Sequence, residues 1–294
     1  MKIIPLSEGS FTVDGSKKFV PFDPERDNIK DRPVGSLLVE VQPFVVITEK
    51  DILLLDTGLG FTMPDGTLQI HHNLMQAGIN PMEVTKVLMS HLHKDHAGGV
   101  SKEDAVLQQQ FLSFPNATYI VNQQELEIAV SKLSKSYAID DVSLLAESDK
   151  VQLIESSGVI DDYIHYEWTG GHSPWHQAFW IKENDETVFF GGDVAPQLFQ
   201  MKTKFVTKYD FDGKLAADLR VKWWEQGQKE NFFKRKLRGQ EKTGEANRLA
   251  SKEDAVGDSE QIPDQEEDHT DGNRNRSGCP IAKENQLVPS VEPD

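Results

Sequence analysis

Short apolar runs punctuated by charged turns dominate the first fifty residues and predict β-structure. Phe11–Val13 and Ser36–Gln42 are brief β-rich stretches. Val45–Thr48 turns through Glu49-Lys50-Asp51 into Ile52–Leu55, the pattern of a hairpin. Val84, Val87 and Leu88, in the run Val84–Ser90, predict a buried strand. Tyr119–Val121, Tyr163–Trp168, Ala178–Ile181 and Thr187–Phe190 predict further strands. Helices are expected at His71–Gly78, which ends on a glycine, at Glu103–Phe111 and at Gln123–Leu133. Leu215, Leu219, Val221 and Trp223 give Asp212–Gly227 helical spacing. Pro21, Pro24 and Pro33 mark a charged surface loop, inert or a lid. Periodicity alone thus predicts a mixed α and β chain, with variable loops at 21–35 and 134–150.

Composition narrows the function classes. The net charge of −17 over 294 residues argues against nucleic acid as a partner, since phosphate binding calls for a basic surface. A single cysteine, Cys279, forms no intrachain disulfide. The first residues lack the apolar core of a signal peptide, and no run approaches the ~20 apolar residues of a membrane helix. A cytoplasmic protein that acts on a small molecule, without a membrane or nucleic-acid partner, is expected.

The chemistry concentrates in Ser90-His-Leu-His-Lys-Asp-His96. Three imidazoles and a carboxylate at i, i+2, i+4 and i+5 do not share one face of a helix or strand. On a loop they converge, and nitrogen with oxygen donors suits zinc and related divalent ions. Solvated surface histidines are the plainer alternative. The apolar strand before the run and Ala97-Gly98-Gly99 after it favour a loop held at a strand's C-terminal end.

With these residues the chain resembles the metallo-β-lactamase fold hydrolases. Their His-x-His-x-Asp-His signature corresponds to His91, His93, Asp95 and His96; their Asp-x-Gly to Asp56-Thr57-Gly58; their downstream Gly-His and Gly-Asp to Gly171-His172 and Gly192-Asp193. The resemblance covers about residues 1 to 230, and the domain it implies spans 1–233. It implies an α/β sandwich, with two mixed β-sheets face to face and helices outside (αββα). It implies a first metal on His91, His93 and His172, a second on Asp95 and His96, and Asp193 bridging both. Two zinc ions are expected, with manganese or iron compatible. The implied reaction is attack of a metal-activated hydroxide on a small ester, lactone, thioester or phosphodiester, with Asp95 as the acid–base group. A bridging Asp193 resembles the lactonase, glyoxalase and phosphodiesterase branches. Gly171-His-Ser-Pro-Trp-His176 leans towards lactonases and thioesterases. His176 is expected to be structural, Asp56 to orient a ligand histidine or cap its loop, and His71 and His72 to be surface or helix-end residues.

After Phe233 the composition changes. Residues 234–294 hold no aromatic residue; Lys234-Arg235-Lys236, Arg238 and Lys242 open the segment, and Asp264-Gln-Glu-Glu-Asp268 follows. Such a composition predicts disorder. Family members normally end on a strand and a last histidine for the second metal. Here the only later histidine is His269, in a solvated context. The break reads as a frameshift product or as a variant end. It leaves two functional expectations: an active hydrolase, or a catalytically impaired metal-binding relative with a weakened second site. Less than two equivalents of zinc are expected at limiting metal.

Overall fold

Alternate side chains of the central strands face different layers, and this alternation sets the architecture. The computed structural model describes residues 1–104, 107–131, 134–202 and 206–230. Its largest sheet is ordered β1 (Lys2–Pro5), β5 (Phe44–Ile47), β6 (Ile52–Leu55), β7 (Lys86–Leu88), β10 (Thr118–Asn122) and β11 (Val151–Ile154). The β1–β5–β6 pairings are antiparallel, and β6, β7, β10 and β11 run parallel. A second, antiparallel sheet contains β12 (Ser157–Ile160), β13 (Ile164–Trp168), β14 (Gln177–Glu183) and β15 (Glu186–Phe190).

Val46, Leu53, Leu55, Leu88 and Ile120 of the first sheet pack against Ile164, Phe179, Ile181 and Val188 of the second. Leu54, Val45, Val87, Tyr119 and Val121 point the other way. They are covered by α1 (Gln69–Gln76), α3 (Gln123–Val130) and α4 (Ile139–Glu147). β6 is therefore buried on both faces, which accounts for its unbroken apolar run. Ala178, Trp180 and Phe189, on the outer face of the second sheet, receive Ala216, Leu219 and Trp223 of α5 (Gly213–Glu230). The result is the layered helix–sheet–sheet–helix arrangement implied by the resemblance. A smaller sheet, ordered β3 (Phe19–Phe22), β2 (Gly9–Val13) and β4 (Leu37–Val41), supplies the N-terminal loops.

Several expectations change. Glu103–Phe111 is not a helix: β8 (Ser101–Asp104) and β9 (Gln109–Leu112) form a hairpin there. Among the described residues of the segment Leu107 and Phe111 are both exposed, and Ser113 N–H donates to Val100 O (2.9 Å) to close the hairpin base. The expected loop at 134–150 contains α4, whose Val142 and Leu145 enter the core. β3 takes the first residues of the proline-containing loop. The expected tail, 234–294, lies outside the described residues, as do Cys279 and His269.

Candidate metal centre

The motif spans the exit of β7 and one turn of helix. Ser90 and His91 follow the strand, His93 precedes α2 (Lys94–Ala97), and α2 carries Asp95 and His96. A change of conformation between His93 and Asp95 is what lets these four side chains converge. The loop after α2 packs directly on the loop after β6. A Cβ on Gly98 would lie 2.3 Å from Leu59 O, and one on Gly99 2.3 Å from Thr57 O, so only glycine permits this approach. Thr57 N–H and its hydroxyl both donate to His96 O, at 2.7 and 2.9 Å.

His172 comes from the β13–β14 connection, and Asp193 from a 3-10 turn, Gly192–Val194, after β15. Gly192 has φ +48°, and a Cβ there would meet His176 Nε2 at 2.5 Å. The residue before Asp193 therefore has to be glycine.

Six side chains predicted from the sequence meet here. His93 Nδ1 lies 3.0 Å from His91 Nε2 and 3.1 Å from His172 Nε2. On the other side, His96 Nε2 is 3.6 Å from Asp95 Oδ2 and 3.2 Å from Asp193 Oδ1. The second oxygen of Asp193 is 3.4 Å from His172 Nε2. Two overlapping donor clusters result: His91, His93 and His172, and His91, His96 and Asp193, the atoms of each within 4.8 Å of one another.

Outer hydrogen bonds aim these rings. Asp56, with φ +58° at the end of β6, accepts from Ser90 N–H and Ser90 Oγ–H and from His96 Nδ1, each at 2.7 Å. Ser90 Oγ is in turn 3.1 Å from His91 Nδ1. His172 Nδ1 donates to Asp210 Oδ1 at 3.0 Å. His91, His96 and His172 thus each spend Nδ1 on a protein partner and turn Nε2 inward, as histidine ligands of metals do.

The protonation states suit a cation. Burial, then the neighbouring imidazoles, holds His91 well below the ordinary histidine range. Burial, then His172 and His96, does the same for His93, to which Lys17 adds. Burial opposes the charge of His96, but Asp193, Asp95 and Asp56 override it and raise its pKa well above the usual value. Burial would raise Asp193, yet His96 and His172 carry it below the carboxylate range. The carboxylates thus draw positive charge to this spot, which a divalent ion would supply while taking the imidazoles as ligands. The donor set fits such ions.

Asp56 stands in the orienting position read from the sequence. His176 is fully buried, with Nδ1 2.9 Å from Thr169 Oγ1, and it joins neither donor cluster. His71 packs edge-on against Phe114, 5.0 Å between centroids, and neither His71 nor His72 reaches the centre.

Three supporting residues escaped the sequence reading. Glu125, buried in the first turn of α3, accepts from Leu92 N–H (3.2 Å), Tyr137 Oη–H (3.1 Å) and Ser173 Oγ–H (3.0 Å), tying the His91–His93 loop to the His172 loop. Asp210 holds His172. Arg220 of α5, 1% exposed, donates to Val194 O at 3.0 Å and so backs the Asp193 turn. Glu125 and Arg220 are buried charges on helix faces and Asp210 lies in the turn before α5, so their roles arise only after folding; in sequence each looks like a surface residue.

The chain is similar in sequence and fold to several known proteins. N-acyl homoserine lactonase AttM of Agrobacterium fabrum is 30% identical over 138 residues, 43% of this chain and 47% of that protein. N-acyl homoserine lactonase AiiA of Bacillus thuringiensis subsp. kurstaki is 26% identical over 168 residues, 50% of this chain and 61% of that protein. The chain thus spans about half the length of the curated relatives it matches. Among solved structures, a probable metal-dependent hydrolase from Staphylococcus aureus superimposes with a TM-score of 0.60 at 21% identity, covering 78% of this chain and 86% of that one. AidC, a dizinc quorum-quenching lactonase with bound product, gives 0.55 at 19% identity, covering 76% and 82%. These structural likenesses speak to the fold. The sequence profile of the metallo-beta-lactamase superfamily matches residues 38–251, a span that includes every donor named above, and the chain belongs to that superfamily.

Proposed function

We propose that the chain is a metal-dependent hydrolase of small esters or lactones, with thioesters and phosphodiesters as the neighbouring classes. The observation that carries this reading is the placement of Asp193, one oxygen facing His172 and the other facing His96. A carboxylate so placed could offer one oxygen to each donor group. The first would be held by His91, His93 and His172, and the second by Asp95 and His96. Zinc suits these nitrogen and oxygen donors. Bound divalent ions supply Lewis acidity and lower the pKa of a coordinated water from about 15.7 to about 7.

The chain's own residues do the rest. Asp56 fixes His96 and, through Ser90, His91, so the donors are set before substrate arrives. Burial first, and repulsion from Asp193, raise the pKa of Asp95 against the pull of His96. Placed beside the proposed ions, Asp95 would take the proton of the attacking water and return it to the departing alkoxide oxygen. The curated relatives are N-acyl homoserine lactonases by name, which favours a lactone among the candidates. The single Cys279 accords with a reducing, cytoplasmic setting. No helix among the described residues is long and apolar enough to cross a membrane.

A chromogenic panel of ester, lactone and phosphodiester substrates, with and without chelator, tests the reading. Turnover that chelator abolishes and that His93→Ala lacks is expected. A fully metal-loaded protein that hydrolyses none of them would overturn it.

A further inference from the structure

The mouth of this centre is cationic, although the chain as a whole is strongly acidic. Lys94 lies between His93 and Asp95, half-buried, with Nζ 6.0 Å from the centroid of the Phe19 ring. Lys17 sits in the β2–β3 turn, fixed by Lys17 N–H to Asp14 O (3.0 Å) and Ser16 N–H to Asp14 Oδ1 (2.8 Å). Its Nζ is 4.9 Å from the centroid of Tyr209, and Lys208 Nζ is 5.2 Å from the same ring. Tyr209 is anchored by its Oη–H to Gly35 O (3.2 Å), and it immediately precedes Asp210, the residue that holds His172. Lys17 is close enough to His93 and Lys94 for its charge to act on both. Three ammonium groups from three segments therefore lie close to the chain that carries His93 and, through Asp210 beside Tyr209, to the residue that holds His172.

Among the described residues none of the three is paired with a carboxylate; the lysines that are paired, Lys86 and Lys222, lie elsewhere. Asp95, next to Lys94, makes its close contact with His96 and acts on Lys94 only at longer range. The sequence holds 48 acidic residues against 31 Lys and Arg, so partners are plentiful, yet like charges are left together here. Uncompensated cations gathered over a reactive centre focus anions into it.

We propose that Lys17, Lys94 and Lys208 form a cationic collar that selects substrates bearing an anionic group, a carboxylate or phosphate, away from the bond that is cut. The aromatic faces of Tyr209 and Phe19 hold the ammonium groups by cation–π contact until the anion replaces it. This specificity rests on the hydrolase reading above, and its test is separable from that reading.

The test compares the zinc-loaded wild type with the double variant Lys17→Gln/Lys208→Gln, neither residue being part of the donor set. Two matched 4-nitrophenyl esters serve as substrates: the neutral butyrate and the hemiglutarate, which ends in a carboxylate. In the wild type the hemiglutarate is preferred. In the double variant its kcat/KM falls about tenfold, chiefly through KM, as expected for losing two unit charges at ~6 Å in a solvated mouth. The butyrate rate falls less than the hemiglutarate rate, and zinc equivalents per chain, unchanged in the variant, report an intact centre. Calorimetric binding of glutarate, with glutaramide as the neutral control, gives a readout that needs no turnover: glutarate binding weakens in the variant and with added salt. An unchanged substrate ratio together with unchanged glutarate affinity overturns the collar, whatever the hydrolytic rates. Absence of both ester activities in the zinc-loaded wild type, with glutarate binding that weakens in the variant, overturns the hydrolase reading and leaves the collar standing.

Discussion

The two donor sets are built from different materials. The first is three imidazoles, His91, His93 and His172, drawn from two loops that Glu125 ties together from below. The second is one imidazole and two carboxylates, His96, Asp95 and Asp193, nearer the solvent, with Asp95 22% and Asp193 29% exposed. The contrast teaches a division of labour. Nitrogen donors set among other imidazoles would hold an ion at little electrostatic cost, whereas the partly buried carboxylates bring the negative charge that draws a cation in. In the proposed assignment the first set has three donors of its own and the second has two, with Asp193 common to both, whereas the donor atoms that cluster in the structure share His91.

Removing the shared donor erases the contrast. Asp193→Ala is expected to lower chelator-sensitive kcat on the order of 100-fold or more, beyond the range typical of residues that merely support ligands. It should also lower the metal content measured by mass spectrometry. Retained stoichiometry in that variant would show that Asp193 does not bridge.

A pH-dependent effect enters from the second set's side. Glu8 is buried against Gly58, with Oε2 accepting from Leu59 N–H at 2.7 Å and Oε1 without a partner. Burial, opposed by that bond, pushes its pKa up to about 7. The unfolded carboxyl titrates near 4.5, so the folded chain takes up a proton. Its contribution is fully present below about pH 4.5 and is lost as pH rises through 7, amounting to about 3 kcal/mol across that window. Urea unfolding between pH 5 and pH 9 should show the decline, and Glu8→Gln should flatten it. The loop 57–60 that Glu8 supports also carries the Thr57 bonds to His96 O, so the second set should loosen first.

Asp56→Asn sharpens the comparison. Its carboxylate meets His96 directly but His91 only through Ser90. Metal affinity should fall about 10–100-fold at the second set and less at the first. Competition with a chromophoric chelator measures both; equal losses would mean that the two sets share one support.

Glu125→Gln should do the reverse with the smallest effect. An amide cannot accept from Leu92, Tyr137 and Ser173 at once without misplacing its own N–H groups. A loss of about 1–3 kcal/mol in stability is expected, with the first set affected before the second. Thermal unfolding and metal competition together would detect it.

Local spacing carried His91, His93, Asp95 and His96, because all four lie within one strand exit and one helical turn. His172 and Asp193 were legible only through the order of short motifs, since loops far apart in sequence deliver them. Asp56 stood out as an acid closing an apolar strand. Glu125, Asp210 and Arg220 were not legible, because their burial is created by tertiary packing. The same limit explains Glu103–Phe111, where helix-compatible residues pair as a hairpin. It also explains α4, whose buried residues Val142 and Leu145 were too few to mark a helix.

Stepwise zinc titration of the purified, metal-stripped chain, read as bound equivalents after dialysis against a weak chelator, tests the inequality of the two sets most directly. One tightly held ion is predicted, followed by a second of distinctly lower affinity that titrates in parallel with hydrolytic activity. Two ions bound equally tightly, or a single ion that supports full activity, would contradict it.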